Sequence, residues 1–163
     1  LGVGRGDELA MLESLVDGFA EQGHFVGVDH SRSAIEHARE RFPADRHRFV
    51  VASLDQLDAL ELGRFDLVLS IATLQSPGVD DRELLRSIVR QHLAPTGALI
   101  LGLPNCAYQD GELLAGARTK NFRQAELGLL IKDVAHYRRY LQQHRRKVYV
   151  TGTHEILVTA VPS

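Results

Sequence analysis

Three glycines at the start of the chain carry the first chemical signal in the sequence. Gly2, Gly4 and Gly6 alternate directly before a predicted helix. Glycine tolerates the backbone angles of a tight turn into a helix, and it lets a ligand approach the main chain closely. The free N–H groups at the start of such a helix favour an anionic group. Because many turns contain glycine, this loop needs a second feature before it indicates a ligand site.

The second feature is an acid at the end of the next predicted strand. Asp29 closes a short apolar run about 20 residues after the glycines. A carboxylate in this position can accept hydrogen bonds from both ribose hydroxyls of an adenosine. The alternative is that Asp29 only caps the helix that begins near Ser33. The strand end, the acid and the spacing together favour the nucleoside site.

The glycine spacing argues against a dinucleotide. The dinucleotide fingerprint is G-x-G-x-x-G, in which the third glycine allows close packing of helix and strand. Counted from Gly2 and Gly4, the third position holds Asp7. An acid is unfavourable beside a pyrophosphate, so a nicotinamide or nucleotide-sugar enzyme is disfavoured.

Short apolar runs alternate with amphipathic stretches along the chain, which predicts a parallel sheet with crossover helices. The residues between 105 and 125 show weak periodicity and are predicted to be mostly loop. Apolar runs on either side of Gly152 predict an antiparallel hairpin. The expected fold is α/β: a doubly wound, mostly parallel sheet with an antiparallel edge strand. Helices are predicted over 7–22, 33–41, 81–93 and 126–144, and strands over 24–29, 48–52, 65–70, 98–103, 147–151 and 154–160. Ser31 can cap the second of these helices, and a turn is predicted at residues 95–97.

The chain is expected to form one domain, residues 1–163, because no repeat or linker interrupts the pattern. A doubly wound sheet normally has a strand that leads into the glycine loop, whereas this sequence opens on the loop itself. We therefore expect the first strand to be missing or truncated, with the sequence part of a longer protein.

Composition excludes several classes of function. The chain has 163 residues, 44% of them hydrophobic and 25% charged, as in ordinary soluble domains. Its one cysteine, Cys106, rules out an internal disulfide and fits the cytoplasm. No apolar run approaches the roughly 20 residues of a membrane span. A net charge of -2 argues against constitutive DNA binding, and no histidine has a zinc-site spacing with Cys106.

Four segments resemble motifs of the class I S-adenosylmethionine-dependent methyltransferases. Residues 1–8 resemble the first motif of that family, and residues 26–31 together with 35–39 resemble the second. Residues 65–70 resemble the fourth motif, and residues 93–99 the segment that leads into the fifth strand. The resemblance extends over nearly the whole chain. It is specific for fold and cofactor, S-adenosylmethionine, and almost silent on the methyl acceptor.

The resemblance assigns roles to the residues of the first two motifs. Gly2, Gly4 and Gly6 would shape the loop around the methionine part of the cofactor. Asp29 would hold the ribose, and His30 would lie beside the adenine. The acid that family members usually carry just before the first glycine is absent from this sequence.

The third motif departs from the family pattern. Where many members have Asp after the strand, this chain reads Ala-Ser-Leu-Asp over residues 52–55. Either Ser53 or Asp55 is expected to bond the adenine amino group. Leu54 in the same segment, and Ser70 after the next strand, are the other predicted cofactor contacts.

Methyl transfer from a sulfonium is an in-line displacement, so the protein must mainly align the reacting atoms. A general base is needed only for an acceptor that is protonated at neutral pH, and the sequence singles out no catalytic residue. The Asn/Asp-Pro-Pro-aromatic motif of base amino-methylation is replaced by Ser-Ile-Ala-Thr at residues 70–73, which disfavours that subclass. Ligands bind beyond the carboxyl ends of parallel strands, so the acceptor-side candidates are Ser70, Thr73, Leu74, Gln75, Asn105, Tyr108 and Asp110.

Two groups of basic residues indicate an anionic acceptor, either RNA or a phosphorylated or carboxylated small molecule. The alternative is a solvated face with cations at a helix C-terminus. The predicted function is methyl transfer to a small molecule or an RNA. A non-catalytic S-adenosylmethionine-binding regulatory or partner module is the alternative. The basic residues are Arg118, Lys120 and Arg123 in the first group, and Arg138, Arg139, Arg145, Arg146 and Lys147 in the second.

Overall fold

The structure is a computed structural model, and it describes residues 1–19, 23–42, 45–104, 107–109, 112–115, 127–152 and 155–163. The chain divides into two compact units, Leu1–Leu57 and Asp58–Ser163. The expectation of one domain stays a prediction.

The first unit contains two helices and a pair of parallel strands. Helix α1 is Asp7–Leu15, strand β1 is Phe25–Asp29, helix α2 is Arg32–Arg41 and strand β2 is His47–Val51. Strands β1 and β2 pair in parallel, as predicted for strands joined by a crossover helix. A 3₁₀ helix, Leu54–Leu60, follows β2 and was not predicted.

Helix α1 is shorter than the predicted span of 7–22. It ends at Leu15 because Val16 adopts an extended conformation. Gly18 then turns the chain with a φ of 73°. Residues 20–22 lie outside the described part of the chain.

Helix α2 begins as the sequence predicts. The Ser31 hydroxyl accepts a hydrogen bond from the Ala34 N–H at 3.3 Å, which caps the helix. The helix ends before Pro43, because a residue preceding proline avoids the helical region. Its buried face belongs to an apolar cluster of Leu9, Ile35, Ala38, Phe42 and Phe49, which forms the core of this unit.

A four-stranded sheet forms the centre of the second unit. Its strands are β3 (Phe65–Ile71), β4 (Leu93–Pro104), β7 (Arg146–Thr151) and β8 (Glu155–Pro162), in the order β3-β4-β8-β7. Strands β3 and β4 are parallel, whereas β8 is antiparallel to both β4 and β7. Three of the four strands therefore run in one direction. The mainly parallel α/β fold is confirmed, with the antiparallel strand one position inside the edge.

Strand β4 begins five residues earlier than predicted, because the expected turn at 95–97 is an irregular part of the strand. Leu93 is paired with Phe65, and the register shifts before Leu67. A Cβ atom on Gly97 would lie 2.7 Å from the Phe65 carbonyl oxygen, so only glycine lets the two strands approach here.

The predicted helix over 81–93 divides into two types of helix. Helix α3 is Asp81–Ser87, capped by the Asp80 side chain, and a π-helical turn, Ile88–His92, follows it. Helix α4, Leu127–Gln143, agrees with the predicted span of 126–144.

The described part of the stretch that was predicted to be mostly loop contains two short strands. Strand β5 (Ala107–Gln109) and strand β6 (Glu112–Ala115) pair in antiparallel fashion. The prediction was wrong at these residues, because runs of three and four residues are too short for hydrophobic periodicity to reveal.

Burial separates one member of the second basic group from the rest. Arg146 is buried and donates to the carbonyl oxygens of Ala94, at 2.8 Å, and of Gly97. Desolvation lowers the pKa of its guanidinium. Arg146 is therefore neither a solvated cation nor an acceptor contact, in contrast to both sequence interpretations. It satisfies the carbonyls of the irregular part of β4.

A buried polar network connects α3 with α4. The phenol of Tyr137, which is fully buried, donates to the Asp81 carboxylate. Arg82 donates to Asp133 at 2.7 Å and lies 3.2 Å from Asp81. Burial raises the pKa of Tyr137, so the phenol stays neutral and keeps donating. The network fixes the relative position of the two helices.

A second polar cluster joins the 3₁₀ helix to the helices that precede β4. Asp58 accepts hydrogen bonds from the Ser87 hydroxyl and, at 2.7 Å, from the Gln91 amide. His92 Nε2 lies 3.1 Å from the same carboxylate. The Ser87 hydrogen bond lowers the pKa of Asp58 below its ordinary 3.8.

We expect Asp58→Asn to lower the thermal midpoint at neutral pH. Because the folded-state pKa of Asp58 is depressed, the ionised carboxylate stabilises the fold above pH 3.8. That contribution is lost as the pH falls through the folded-state pKa. The difference in midpoint between wild type and variant should therefore shrink on acidification, as scanning calorimetry from neutral pH to about pH 3 would measure.

Asp66→Asn is the matched control, because it removes an exposed carboxylate from β3 in the same unit. A midpoint difference for Asp58→Asn that stayed constant down to the acidic end would contradict the assignment.

Candidate functional site

The glycine loop that precedes α1 has an unusual backbone. Gly2, Gly4 and Gly6 have φ angles of 64°, 52° and 82°, all in the left-handed region. L-amino acids with a side chain rarely adopt these angles. Three alternating glycines are therefore what this loop requires, and Gly6 is the residue from which α1 begins.

Hydrogen bonds fasten this loop to the carboxyl end of β1. The N–H groups of Gly2 and Val3 donate to the Val28 carbonyl oxygen at 2.8 and 3.1 Å. The Gly4 N–H donates to Asp29 Oδ2 at 2.9 Å. The loop is thus held to the strand end by the main chain and by one side chain.

Asp29 is the centre of the arrangement. It is 8% exposed, and its second oxygen, Oδ1, accepts a hydrogen bond from the Ser31 N–H at 2.8 Å. His30 Nδ1 lies 3.4 Å from the same oxygen. A carboxylate offers about four acceptor positions, so the two backbone bonds leave capacity for further donors. The carboxylate therefore does more than precede a helix cap, because it also positions the glycine loop.

Glycine at Gly4 leaves room for a ligand, whereas glycine at Gly6 serves packing. A Cβ atom built on Gly4 meets nothing within 4 Å. A Cβ atom on Gly6 would lie 2.6 Å from the Phe42 ring, and one on Gly27 would lie 2.6 Å from Phe49. The open side of the loop at Gly4, beside the Asp29 carboxylate, fits a nucleoside-bearing cofactor.

Predicted adenine contacts follow two adjacent strand ends. The main-chain carbonyl oxygen of Asp29, at the end of β1, accepts a hydrogen bond from the Ala52 N–H just beyond β2, at 2.9 Å. His30 and Ser53, the next residues of these two segments, are both exposed. Leu54 is half-buried at the start of the 3₁₀ helix. The structure brings these predicted residues to the same end of the β1–β2 pair as the glycine loop.

Ser31 was expected only as a helix cap, but its main chain also contributes to the site. The Ser31 N–H also binds the Asp29 carboxylate. An Asp side chain that accepts from the N–H two residues later forms an Asx turn, so the Asp-His-Ser order of residues 29–31 was the available signal.

The predicted site residues beyond the first unit are either buried or outside what the structure describes. Ser70 is fully buried at the end of β3 in the second unit, and its cofactor role stays a prediction. Tyr108 lies in β5, but its side chain is outside what the structure describes. Asn105, Arg118 and Lys120 lie outside the described residues.

Two properties of the described residues concern metal ions and membranes. Within them, no three His, Cys, Asp or Glu side chains come together to hold a metal ion. None of the helices in this part of the chain has the length and apolar character of a membrane span.

The fold and the glycine site define an α/β domain of the nucleoside-cofactor-binding kind. Residues 1–99 match the family described as "Methyltransferase domain". The match extends over more than half of the chain, so the chain belongs to this family. It is a class I S-adenosylmethionine-dependent methyltransferase domain. Comparison with curated proteins gives no match.

Solved structures share the fold. The complex between the Haloferax volcanii Trm112 methyltransferase activator and a proposed methyltransferase matches with a TM-score of 0.67 and 17% identity, covering 99% of this chain and 80% of that one. An S-adenosylmethionine-dependent methyltransferase from Mesorhizobium loti gives 0.62 and 18%, covering 98% and 88%. A TehB-like S-adenosylmethionine-dependent methyltransferase from Corynebacterium glutamicum gives 0.58 and 19%, covering 99% and 77%. At these identities the likeness establishes the fold alone.

Alanine substitutions should separate the two kinds of glycine. We expect Gly6→Ala to lower the free energy of unfolding by about 2–4 kcal/mol, because the new Cβ would be strained and would clash with Phe42. Gly4→Ala should lower it by only about 1–2 kcal/mol, because the left-handed backbone would be strained but the new Cβ would clash with nothing. Urea unfolding of both variants would measure the difference, and equal losses would contradict the packing role of Gly6.

Proposed function

We propose that this chain binds S-adenosylmethionine at the site in its first unit and transfers the methyl group to a small-molecule acceptor. The observation that supports the proposal best is the left-handed glycine loop fastened to the Asp29 carboxylate. The loop supplies an open stretch of backbone, and the carboxylate supplies acceptors beside it. We also propose that the activity resides in the cytoplasm, in line with the single cysteine.

The hydrogen bonds of the loop favour this cofactor over one that carries a pyrophosphate. A pyrophosphate needs free N–H groups at the loop and the helix start. Here the Gly4 N–H already donates to Asp29, and the Gly2 N–H donates to Val28. Asp29 also brings a negative charge to the loop. A cofactor without phosphate and with a positive sulfonium suits this arrangement better.

The predicted residues of the first unit would contact different parts of the cofactor. Gly2, Gly4 and Gly6 shape the surface against the methionine part, and Asp29 accepts the ribose hydroxyls with its remaining acceptor positions. The adenine would lie along the exposed ends of the two strands. The residues that would border it are His30, Ser53 and Leu54.

Bound S-adenosylmethionine supplies a methyl group on a positively charged sulfur, which is already activated for transfer. The chain's own residues have to hold the cofactor, orient the acceptor and exclude water. Such alignment can supply several orders of magnitude in rate. A base would be needed only for an acceptor that is protonated at neutral pH.

A small molecule is the better candidate for the acceptor, and RNA is the second. The net charge of -2 provides no overall attraction for a polyanion. Tyr108 and Asn105, which follow β4 in sequence, and the cations Arg118 and Lys120 are proposed to contact the acceptor. The burial of Arg146 removes one cation from the second basic group that could have bound RNA.

Calorimetric titration with S-adenosylmethionine would test the cofactor, with NAD as the control ligand. Wild-type protein should bind the first and not the second. Asp29→Asn should weaken binding by about 10- to 100-fold, because the ribose loses a charged acceptor. Gly4→Ala should also weaken it, because the new methyl group fills the open space beside the loop.

Asp7→Asn is the control variant, because it changes an exposed acid of the same segment that pairs with Arg41. Its affinity should equal that of wild type. Thermal midpoints of all three variants would show that they are folded. Binding of S-adenosylmethionine by a folded Asp29→Asn protein at wild-type affinity would remove Asp29 from the site.

A further inference from the structure

A buried side-chain amide lies in the loop that follows β3. Gln75 is 5% exposed, yet neither its amide nitrogen nor its amide oxygen has a hydrogen-bond partner among the described residues. Among the other side chains with an unpaired buried atom, His47 pairs with Glu13 and Arg82 pairs with Asp133 through their remaining atoms, whereas the hydroxyls of Ser70 and Tyr140 have no partner in the described residues. Gln75 differs from these because both of its polar atoms are unpaired.

The hydroxyl of Ser70, near the end of β3, is also buried and, among the described residues, unpaired. Ser70 is fully buried, and its Oγ atom also has no partner in the part of the chain that the structure describes. Ser70 is the next-to-last residue of β3, and Gln75 follows it in the loop. Ligands of open α/β sheets bind beyond the carboxyl ends of parallel strands, which is where these two residues stand.

The backbone holds Gln75 in a fixed turn. Ala72 has a φ of 51°, a left-handed conformation that a residue with a side chain keeps only when its surroundings enforce it. Its N–H donates to the Gly102 carbonyl oxygen of β4 at 2.9 Å. The Ser76 N–H donates to the Thr73 carbonyl oxygen at 3.0 Å, which closes a turn with Gln75 in third position. The loop, which continues directly from β3, is thus tied to β4 by a hydrogen bond and closed by a turn of its own.

The energetics point away from a role in folding. A buried amide without partners has lost its hydrogen bonds to water and gained none in return. A methionine of similar size would avoid that loss, so the fold alone gives no reason for glutamine. An amide group that is held rigidly in this state is suited to receive a ligand.

We propose that the carboxamide of Gln75, together with the Ser70 hydroxyl, recognises the methyl acceptor, and that the acceptor carries an N–H group next to a C=O group. The inference rests on the proposed methyl transfer. A side-chain amide presents one donor face and one acceptor face, and a carboxamide or lactam pairs with both. Because the amide is buried, a small molecule can reach it more easily than a polymer, and the net charge favours the same choice.

Stability gives the first test. Gln75→Met should leave the thermal midpoint unchanged or raise it, because no hydrogen bond is lost. Gln91→Met is the matched control and should lower the midpoint, because Gln91 donates to Asp58 at 2.7 Å. A clear fall in midpoint for Gln75→Met would show that the amide serves the fold, and it would overturn the proposal.

Side-chain amide NMR gives the second test, on protein saturated with S-adenosylhomocysteine. The Gln75 signal is identified by its absence from Gln75→Met. The probes are benzamide, nicotinamide, 2-pyridone and uracil, with N,N-dimethylbenzamide and N-methyl-2-pyridone as matched controls that lack the N–H. At least one probe should shift the Gln75 signal and bind roughly tenfold more weakly to Gln75→Met, whereas the controls should not.

Three outcomes would overturn the proposal: no probe moves the Gln75 signal, the N-methylated controls bind equally well, or a hexauridylate RNA binds more tightly than uracil. The last outcome would assign the site to RNA. Calorimetry with S-adenosylmethionine distinguishes this inference from the proposed function. Gln75→Met should bind the cofactor as wild type does, so lost probe binding with intact cofactor binding refutes the amide site alone.

Discussion

The carboxylate of Asp29 is the interaction on which the first unit depends. One oxygen accepts the Gly4 N–H from the loop before α1, and the other accepts the Ser31 N–H before α2. A single buried acid therefore fixes the starts of both helices against the end of β1. The loop can reach this carboxylate only because its glycines adopt left-handed angles. In this arrangement the residue that gives the loop its shape is also the residue proposed to accept the ribose hydroxyls.

The second unit depends on a different constraint, the irregular start of β4. The strand shifts register beside Phe65, and the carbonyls that this shift leaves without partners receive the buried guanidinium of Arg146. Gly97 permits the close approach of the two strands. Two buried polar side chains of this unit, Arg146 and Tyr137, have firm partners. The unpaired amide of Gln75 contrasts with them, and the proposed ligand would supply its missing partners.

The chemistry of methyl transfer explains why the sequence identifies the cofactor better than the acceptor. The cofactor carries the reactive group, and the motifs that resemble the methyltransferase family, with the glycine loop and Asp29 among them, indicate which cofactor it is. The family match covers residues 1–99 and so includes these features. Four of the predicted acceptor contacts, Asn105, Tyr108, Arg118 and Lys120, follow residue 99, whereas Ser70 and Gln75 lie within the matched residues. Acceptors are recognised by loops, which vary between proteins of one fold, whereas the cofactor is bound by the strands and helices that these proteins share.

Local patterns in the sequence determined most elements of the fold. Short apolar runs predicted β1, β2 and β3, the Ser31 cap predicted the start of α2, and the alternating glycines predicted the loop. These signals arise from neighbouring residues, so the sequence displays them directly. Only the tertiary structure decided that Arg146 is buried against Gly97, 49 residues away, and that Gln75 is buried without a partner. Burial and pairing depend on which distant residues meet, and no short-range periodicity records that.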